Sequence, residues 1–291
     1  MNPTDPIQPV HLALPKGRIQ EGVLGLLREA GVRVTSSVRG YRPTLSLPGF
    51  ETKLLKPQNI VEMLAAGSRD VGFAGADWVA EKGAELVPLL ETSLDPVRLV
   101  AAAPRELLED GVLPRRPLVV ASEYERLTRA WMNQREIEGR FVRTYGATEV
   151  FPPEDADVIV DNTATGATLV ANGLVQVEEV MTSSTWLYAN PKSLEDSAKR
   201  GRIDDLVLVL RSVLEARERA MVDLNVTAEA LEAVVATLPS MREPTVSDLR
   251  SSGGFTVRAA VRRAELPRLV PALKASGATD IVVSRPEQIV P

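Results

Sequence analysis

Apolar, β-branched segments alternate with amphipathic segments along the first two thirds of the chain. The first pair is a strand predicted at residues 10–14 and a helix predicted at 19–30, which Gly31 ends. Alternation of this kind is typical of an α/β protein with a parallel sheet. Further strands are predicted at 45–47, 52–55, 71–74, 97–102, 118–121, 141–144 and 158–160, with extended chain at 178–188, and further helices at 58–66, from Asp77, at 123–138 and at 206–220.

The tail of the chain follows a different order of elements. Thr227 is a candidate N-cap for its first helix, and Gly277 is a candidate stop for its second. The order β-α-β-β-α-β is the ferredoxin-like plan. We therefore expect an independent α+β domain that serves as a small regulatory or assembly module, or as a plain interface domain. Its strands are predicted at 221–226, 245–249, 255–262 and 281–284, and its helices at 228–238 and 266–275.

Composition narrows the classes of function. The chain has 291 residues, of which 44% are hydrophobic, no cysteine and a single histidine, His11. Disulfides, thiolate zinc sites, cysteine nucleophiles and histidine-rich metal sites are therefore excluded, and any metal must be held by oxygen ligands. A net charge of -5 argues against a nucleic-acid binder. No apolar run approaches the length of a membrane span and the N-terminus lacks the pattern of a signal peptide, so we expect a cytoplasmic protein with no membrane segment.

The segment from Asp161 to Leu169 carries the clearest chemical signal in the chain. It follows the apolar residues 158–160 and contains three threonines and a glycine before a segment able to begin a helix. Threonine hydroxyls and free backbone amides form a cup suited to a phosphate monoester. Asp161, at the lip of the cup, would be repelled by the phosphate and suits sugar hydroxyls or a cation one ribose-length away. The constellation indicates a ribose 5-phosphate.

Two other segments are candidates to complete such a site. Lys16 and Arg18 follow the first predicted strand, and open α/β sheets bind ligands at the carboxyl ends of their strands. The alternative is a pair of solvated loop charges, but the position between a strand and a helix favours anion binding. The segment 70–77 places Gly72 and Gly75 where the backbone approaches either a ligand or the next helix closely, and both explanations remain open.

Several motifs, in one collinear order, resemble the ATP phosphoribosyltransferase family. They are Leu-Ala-Leu-Pro-Lys-Gly-Arg at 12–18, Lys-Pro-Gln-Asn-Ile at 56–60, the turn at 70–75 and Asp-Val-Ile-Val-Asp-Asn-Thr-Ala-Thr-Gly-Ala-Thr-Leu-Val-Ala-Asn-Gly-Leu at 157–174. In the tail, Leu-Pro-Ser-Met-Arg-Glu-Pro-Thr-Val at 238–246 and Leu-Lys-Ala-Ser-Gly-Ala at 273–278 extend the resemblance. Since it covers nearly the whole chain and includes the tail, the resemblance is to the long form of the family.

This resemblance implies a fold and a reaction. The fold is a two-lobed catalytic body like that of periplasmic binding proteins, with one lobe at 1–103 and 185–213 and a second, which carries the phosphate loop, at 104–184. A regulatory domain spans 217–291. The reaction is the first step of histidine biosynthesis, in which N1 of the ATP adenine displaces pyrophosphate from C1 of phosphoribosyl pyrophosphate. Mg²⁺ would bridge the pyrophosphate oxygens, with no dedicated metal site on the protein.

The resemblance also implies roles for individual residues. Catalytic roles are expected for Asp161 at the ribose hydroxyls, for Lys16 and Arg18 at the pyrophosphate or nucleotide phosphates, and for Glu149 on the adenine side. The alternative for Glu149 is an exposed loop carboxylate. A general base is not required, because adenine N1 already carries a lone pair. Substrate-binding positions are expected at Thr163, Ala164, Thr165, Gly166, Ala167, Thr168, Lys56, Asp70 and Gly75.

For the tail, the resemblance implies that histidine binds as a feedback inhibitor near Asn225, Glu243 and Thr245. A homo-hexamer built from dimers is implied in the same way. An alternative of another class is a non-catalytic two-lobed ligand sensor, or a regulatory paralogue that has lost turnover. The intact Lys-Gly-Arg and the hydroxyl-rich loop favour the enzyme.

Overall fold

The structure is a computed structural model that describes residues 8–35, 40–250 and 253–290. The chain forms two compact units, one of Met1–Gly25 and Val32–Asp204 and the other of Leu26–Gly31 and Asp205–Pro291. In chain order, the elements up to residue 196 are β1 (Val10–Pro15), α1 (Gln20–Glu29), β2 (Val34–Thr35), β3 (Thr44–Leu45), β4 (Phe50–Leu55), α2 (Pro57–Ala65), β5 (Val71–Gly75), α3 (Ala76–Lys82), β6 (Val87–Pro104), β7 (Leu118–Ser122), α4 (Glu125–Gln134), β8 (Gly139–Arg143), β9 (Val158–Thr163), α5 (Ala167–Ala171) and β10 (Leu174–Ala189), with 3-10 helices at Arg105–Leu107, Thr148–Val150 and Pro191–Leu194.

One eight-stranded mixed sheet organises the first unit, in the order β4-β1-β5-β10-β6-β9-β7-β8. Each end of the sheet is a parallel trio, β4, β1 and β5 at one end and β9, β7 and β8 at the other. Between the trios lie the long strands β6 and β10, which run antiparallel to each other and to the trio strand beside them. The predicted α/β class is confirmed, and the central antiparallel pair is the feature that the sequence pattern did not reveal.

The strands β6 and β10 join two lobes. Residues 185–189 of β10 pair with β5, whereas residues 98–102 of β6 pair with β9. We call the half-sheet with β1, β4 and β5 lobe I and the half-sheet with β7, β8 and β9 lobe II. The chain crosses near Ser93 and Asp95, whose backbones are left-handed with φ of 54° and 49°. Because residues 98–102 already pair with lobe II, the crossing on β6 lies nearer Asp95 than the lobe limit predicted at 103.

Apolar positions on β9 explain how this strand is held in lobe II. Val158 and Val160 pack into one hydrophobic cluster and Ile159 into another, so the strand is buried on both faces. The strand continues to Thr163, because it pairs with β6 as far as Arg98. The sequence pattern predicts that the strand ends at Asp161, and this is wrong: Asp161 lies within the strand.

The tail forms a four-stranded antiparallel sheet in the order β12-β13-β11-β14. Buried residues of its strands and helices, such as Val222, Val257, Val234 and Leu273, form one hydrophobic cluster. The β-α-β-β-α-β order confirms the predicted ferredoxin-like plan. The elements of this part of the chain are α6 (Ser197–Glu218), β11 (Arg219–Val226), α7 (Leu231–Thr237), β12 (Thr245–Asp248), β13 (Phe255–Arg262), α8 (Leu266–Ala275) and β14 (Thr279–Ser284), with a 3-10 helix at Arg263–Glu265.

The two predicted helix ends in the tail have different outcomes. The predicted cap at Thr227 is wrong, because α7 begins only after Ala230 and the Thr227 carbonyl accepts the Ala230 N–H within a preceding turn, at 3.3 Å. Gly277 follows α8 with φ of 99°, and its N–H donates to the carbonyl of Lys274 at 3.3 Å. The predicted glycine stop is therefore confirmed.

The helix α6 begins at Ser197, well before the predicted start at 206. The Asp196 carboxylate accepts the backbone N–H groups of Ala198 and Lys199, at 2.9 and 3.1 Å, and so caps the first turn. Within the described part of the chain, no helix has the length and apolar character needed to cross a membrane.

Candidate functional site

A cleft opens between the two lobes where β6 and β10 cross. β5 ends at Gly75, which pairs with Thr185, and β9 ends at Thr163, which pairs with Arg98. Both partners lie close to the crossing, so the carboxyl ends of β5 and β9 meet the cleft from opposite lobes, as in other open α/β sheets. The residues that line it include Lys16, Arg18, Asp77, Asp95, Tyr124 and Asn162.

The cationic side of the cleft comes from the loop after β1. Gly17, with φ of 85°, turns the chain there, and the Lys16 ammonium lies 3.4 Å from the centre of the Tyr41 ring. Arg18 donates from Nε to Asp95, at 3.0 Å, and from Nη1 to Asn162 Oδ1, at 3.3 Å. The second bond spans the cleft, because Asn162 belongs to β9. The structure thus brings Arg18 to the strand that carries Asp161.

Asp161 is a half-buried carboxylate on β9 of lobe II, next to Asn162, which lines the cleft. Its pKa is raised to about 6, chiefly by burial and also by the nearby Glu149 and Glu123 carboxylates. The Asn162 N–H, which donates to Asp161 Oδ1 at 2.7 Å, and the Arg18 guanidinium act in the opposite direction. The negative charge of Asp161 is therefore incompletely compensated, and a ligand with hydroxyl groups or positive charge would relieve that cost.

The predicted phosphate loop, residues 163–168, connects β9 to the short helix α5. Gly166 adopts φ of 79° at the N-cap, and its N–H donates to the Thr163 hydroxyl oxygen at 2.9 Å. The Ala167 N–H donates to the Thr165 hydroxyl oxygen at 3.4 Å. Each hydroxyl accepts one of these bonds and keeps its own proton to donate. The loop is thus held in a tight turn that presents hydroxyl donors.

Glu149 and Lys56 are charged residues of opposite lobes, and neither is among the residues that line the cleft. Glu149 lies in the 3-10 helix Thr148–Val150, and its carboxylate is close enough to Asp161 to raise its pKa. Lys56 precedes α2 in lobe I. Burial raises the pKa of Glu123, in lobe II, and the positive charge of Lys56 partly offsets this effect. The Lys56 charge therefore acts on an acidic residue of the other lobe.

Asp70 is not brought to this cleft. It precedes β5, at the opposite end of that strand from Gly75. Its carboxylate accepts the His11 N–H at 2.7 Å, the Ser193 hydroxyl at 2.7 Å and the Lys199 ammonium at 2.8 Å. Burial by itself raises the pKa of Asp70, but these three donors together lower it below its usual value. The arrangement is a buried junction that supports the fold.

Protein packing explains the two glycines of β5. A Cβ on Gly72 would lie 2.8 Å from Ile60 of α2, and a Cβ on Gly75 would lie 2.1 Å from Oδ1 of Asp77. Gly75 does line the cleft, but the need for glycine there comes from the Asp77 carboxylate. Of the two explanations that the sequence leaves open, the close approach of neighbouring protein groups is the one the structure supports.

Three cleft residues have no place in the sequence prediction. Asp77 lies two residues after Gly75, which ends β5, and this position is a usable signal, but its place in the first turn of α3 predicts only a helix residue. Tyr124 is fully buried, and its sequence position predicts only an aromatic residue of the hydrophobic core. Asp95 reaches the cleft only because β6 crosses between the lobes, which no local pattern reveals.

The described residues contain no group of three or more histidine, cysteine, aspartate or glutamate side chains placed to hold a metal ion. In the tail, Glu243 and Thr245 line a surface depression together with Arg258. Asn225 does not line that depression, and its side-chain amide donates to Asp280 at 3.0 Å. The structure thus places the three predicted histidine-binding residues at two positions of the tail.

Two family models match the chain. The model described as ATP phosphoribosyltransferase matches residues 56–212, and the model of the C-terminal domain of the same family matches residues 216–287. The chain belongs to the ATP phosphoribosyltransferase family. The ATP phosphoribosyltransferase of Pelotomaculum thermopropionicum is 32% identical over 97% of this chain and 99% of its own length. That of Chlorobium phaeovibrioides is 34% identical over 93% of this chain and 94% of its own.

A solved structure provides a further comparison. A chain of the structure titled "ATP phosphoribosyl transferase (HisG:HisZ) complex from Thermotoga maritima" matches with a TM-score of 0.63 and 26% identity, over 71% of this chain and 98% of that one. The matches to body and tail confirm the predicted long form of the family. They also confirm the predicted function, a transferase of the first step of histidine biosynthesis.

Proposed function

We propose that phosphoribosyl pyrophosphate binds across this cleft, with its 5-phosphate in the loop 163–168 and its diphosphate on the cations of lobe I. N1 of ATP then attacks C1, and the products are N1-(5-phosphoribosyl)-ATP and pyrophosphate. The observation that carries the proposal is the bond of 3.3 Å between Arg18 and Asn162. This bond brings a cation of lobe I to the residue that lies between Asp161 and the start of the loop, so that a substrate charged at both ends would meet both lobes.

The loop suits the 5-phosphate because it combines hydroxyl and amide donors at a tight turn. We expect roughly four to six hydrogen bonds, each charge-assisted and worth about 1.5 to 3 kcal/mol net. The Thr163 and Thr165 hydroxyls are preoriented, since each already accepts a backbone N–H of the same loop. The loop therefore fixes one end of the sugar.

Asp161 would hold the ribose hydroxyls and stabilise the reacting carbon. As the bond from C1 to the diphosphate breaks, positive charge develops on the sugar, and a carboxylate one ribose-length from the phosphate loop favours that charge. The raised pKa of Asp161 fits this role, because the charge that is costly in the protein alone would be compensated by the positive charge of the transition state.

Lys16, Arg18 and Lys56 would take the diphosphate as it departs. Mg²⁺ suits the same place as part of the substrate, since this hard cation binds phosphate oxygens and water and needs few protein ligands. The residues present fit that mode, because the described residues contain no group of three or more carboxylate or histidine side chains that would form a cage. When bound, Mg²⁺ would neutralise the diphosphate charge.

Glu149 would face the adenine side of the cleft, and no residue is needed to remove a proton from N1. The N1 lone pair attacks directly, so the cleft acts by positioning and electrostatics. We further propose that the tail binds histidine near Glu243 and Thr245, and that the chain assembles as a homo-hexamer built from dimers. Both proposals follow from the long form of the family.

Turnover tests the reaction directly. The protein is incubated with ATP, phosphoribosyl pyrophosphate and Mg²⁺, and pyrophosphate release is followed together with the ultraviolet absorbance of the N1-substituted adenine. We expect both signals with ATP and neither with inosine triphosphate, whose N1 carries a proton and no free lone pair. Binding of phosphoribosyl pyrophosphate without turnover, by a folded protein, would contradict the proposal and favour the ligand sensor.

A further inference from the structure

Tyr124 places a polar atom at the junction of the two lobes. Its side chain is fully buried, and its hydroxyl donates to Asp77 Oδ2 at 2.7 Å while accepting from Asn162 Nδ2 at 3.1 Å. Burying a hydroxyl is costly unless it both donates and accepts a hydrogen bond. Here the acceptor residue belongs to lobe I and the donor residue to lobe II. The Tyr124 hydroxyl therefore bridges lobe I and lobe II.

On the lobe I side, contacts with Ser183 hold the Asp77 carboxylate independently of Tyr124. Its Oδ1 accepts the Ser183 hydroxyl at 2.7 Å, and its backbone N–H donates to the same oxygen of Ser183 at 3.0 Å. The space for this carboxylate exists because residue 75 is a glycine, whose Cβ would otherwise lie 2.1 Å from Oδ1. The acceptor that holds Tyr124 is thus part of a rigid element.

On the lobe II side, Asn162 connects Tyr124 to the proposed site. Its amide donates to Tyr124, its Oδ1 accepts Arg18 at 3.3 Å, and its backbone N–H donates to Asp161 at 2.7 Å. One side chain therefore contacts both Tyr124 and the cation that would bind diphosphate, next to the carboxylate that would hold the ribose. The orientation of the Asn162 amide decides whether these contacts coexist.

We propose that Tyr124 is a positioning residue for the transfer reaction, acting through Asn162 to hold Asp161 and Arg18 at a fixed separation across the cleft. This inference rests on the proposed function of the cleft. A misplacement of a reacting group by a fraction of a bond length is enough to slow a reaction that depends on positioning. Tyr124 would therefore affect the rate of the bound complex more than the affinity for either substrate.

The hydroxyl, not the ring, is the part that this role requires. The Tyr124 ring stacks on Trp78, with 4.5 Å between the ring centres, and phenylalanine would keep that contact. Burial and the Asp77 carboxylate raise the pKa of Tyr124 far above its usual value, so the hydroxyl stays a donor to Asp77. Tyr124→Phe thus keeps the ring contact and removes the bridge, so that Asp77 Oδ2 and the Asn162 amide lose this partner.

A second bridge between the lobes supplies a matched control. The Glu81 carboxylate, on α3 of lobe I, accepts the N–H groups of Arg126 and Leu127 at 3.1 and 3.0 Å, in the first turn of α4 of lobe II. It joins the same two helices as the contact between Asp77 and Tyr124, but it does not touch Asn162. Glu81→Gln therefore weakens the attachment of the lobes without disturbing the proposed positioning contact.

The test compares steady-state kinetics of wild type, Tyr124→Phe, Asn162→Ala, the double variant and Glu81→Gln, with thermal unfolding of each. We expect Tyr124→Phe to lower kcat by about tenfold while KM for either substrate changes by less than about threefold. The double variant should be no slower than Asn162→Ala, because both changes remove one contact. Glu81→Gln should keep kcat within about twofold even where it lowers the unfolding midpoint.

Several results would overturn the inference. An unchanged kcat in Tyr124→Phe, an equal loss in Glu81→Gln, or losses that multiply in the double variant would each refute it. Crystal structures of wild type and Tyr124→Phe give a readout independent of turnover. We expect Asn162 and the Asp161 carboxylate to shift in the variant, and unmoved positions would refute the positioning role. A wild type that forms no product would refute the proposed function instead, and the crystal structures would still decide the role of Tyr124.

Discussion

Replacing Asp161 with asparagine should slow the enzyme and stabilise the fold. The substitution keeps the size of the side chain and removes the charge. The ionised carboxylate is costly in the folded protein, because burial and two neighbouring carboxylates raise its pKa to about 6. If that charge serves the reaction, its removal relieves the cost and loses the rate, whereas a charge with no function would be removed without loss of activity.

The size of each effect follows from the structure. The pKa of Asp161 rises from 3.8 to about 6, and each unit corresponds to about 1.4 kcal/mol, so ionisation costs the fold at most about 3 kcal/mol. Because the side chain is only half-buried, we expect Asp161→Asn to raise the free energy of unfolding by about 1 to 3 kcal/mol above neutral pH. The gain should vanish below about pH 4, where the carboxyl is protonated in both states. Loss of the Asp161 carboxylate charge, which would stabilise the positive charge at C1, should lower kcat/KM at least about tenfold, which corresponds to roughly 1.4 kcal/mol.

The assay is the dependence of kcat/KM on pH, together with thermal unfolding at high and low pH. In the wild type, kcat/KM should fall as the pH drops through about 6, because the reaction needs the ionised Asp161. Asp161→Asn should have a low and flat profile. Glu123→Gln is the matched control, since it removes one of the carboxylates that raise this pKa, and it should move the acid limb to lower pH. An unchanged rate in Asp161→Asn, or an acid limb that persists in it, would refute the reasoning.

Two further substitutions test separate parts of the account. Thr163→Val should raise KM for phosphoribosyl pyrophosphate about tenfold, because a hydroxyl donor of the loop is lost. The control Thr128→Val, at a buried hydroxyl without a hydrogen-bond partner among the described residues, should leave KM unchanged, and equal effects in calorimetric titrations would contradict the loop assignment. Asp70→Asn should destabilise the fold by about 3 to 5 kcal/mol and leave kcat unchanged, since it leaves the Lys199 ammonium without its buried partner. Because the pKa of Asp70 is lowered, this deficit should be full above about pH 4 and disappear as the pH falls through the folded-state pKa, which unfolding titrations at several pH values will reveal.

Much of the fold follows from local pattern. The predicted strand at 255–262 and helix at 266–275 have the observed bounds, because apolar spacing, a proline near the helix start and a glycine after its end all agree. The lobe crossing could not be predicted in this way. β6 spans Val87–Pro104 and pairs with β10 along this length, but it gains β9 as a second partner only from Arg98 onward, and this depends on contacts with strands far away in sequence.

The residues of the site also fall into those that local sequence patterns predict and those that depend on distant contacts. Arg18, Asp161 and the loop 163–168 are recognisable from the sequence because each follows an apolar segment that predicts a strand, and ligands of α/β proteins bind at the carboxyl ends of strands. Asp77 and Tyr124 are not, since their importance comes from meeting each other across the cleft. The motif predicts Asp70 at the substrate. Asp70 lies before the first residue of β5, however, and that end of the strand is opposite to the end that meets the cleft.

A crystal structure of the protein with phosphoribosyl pyrophosphate and Mg²⁺ tests the central claim most directly. We predict that the 5-phosphate accepts hydrogen bonds from the loop 163–168, that a ribose hydroxyl donates to Asp161, and that the diphosphate lies on Lys16 and Arg18. A sugar phosphate bound elsewhere, with no ligand in that loop, would contradict the account.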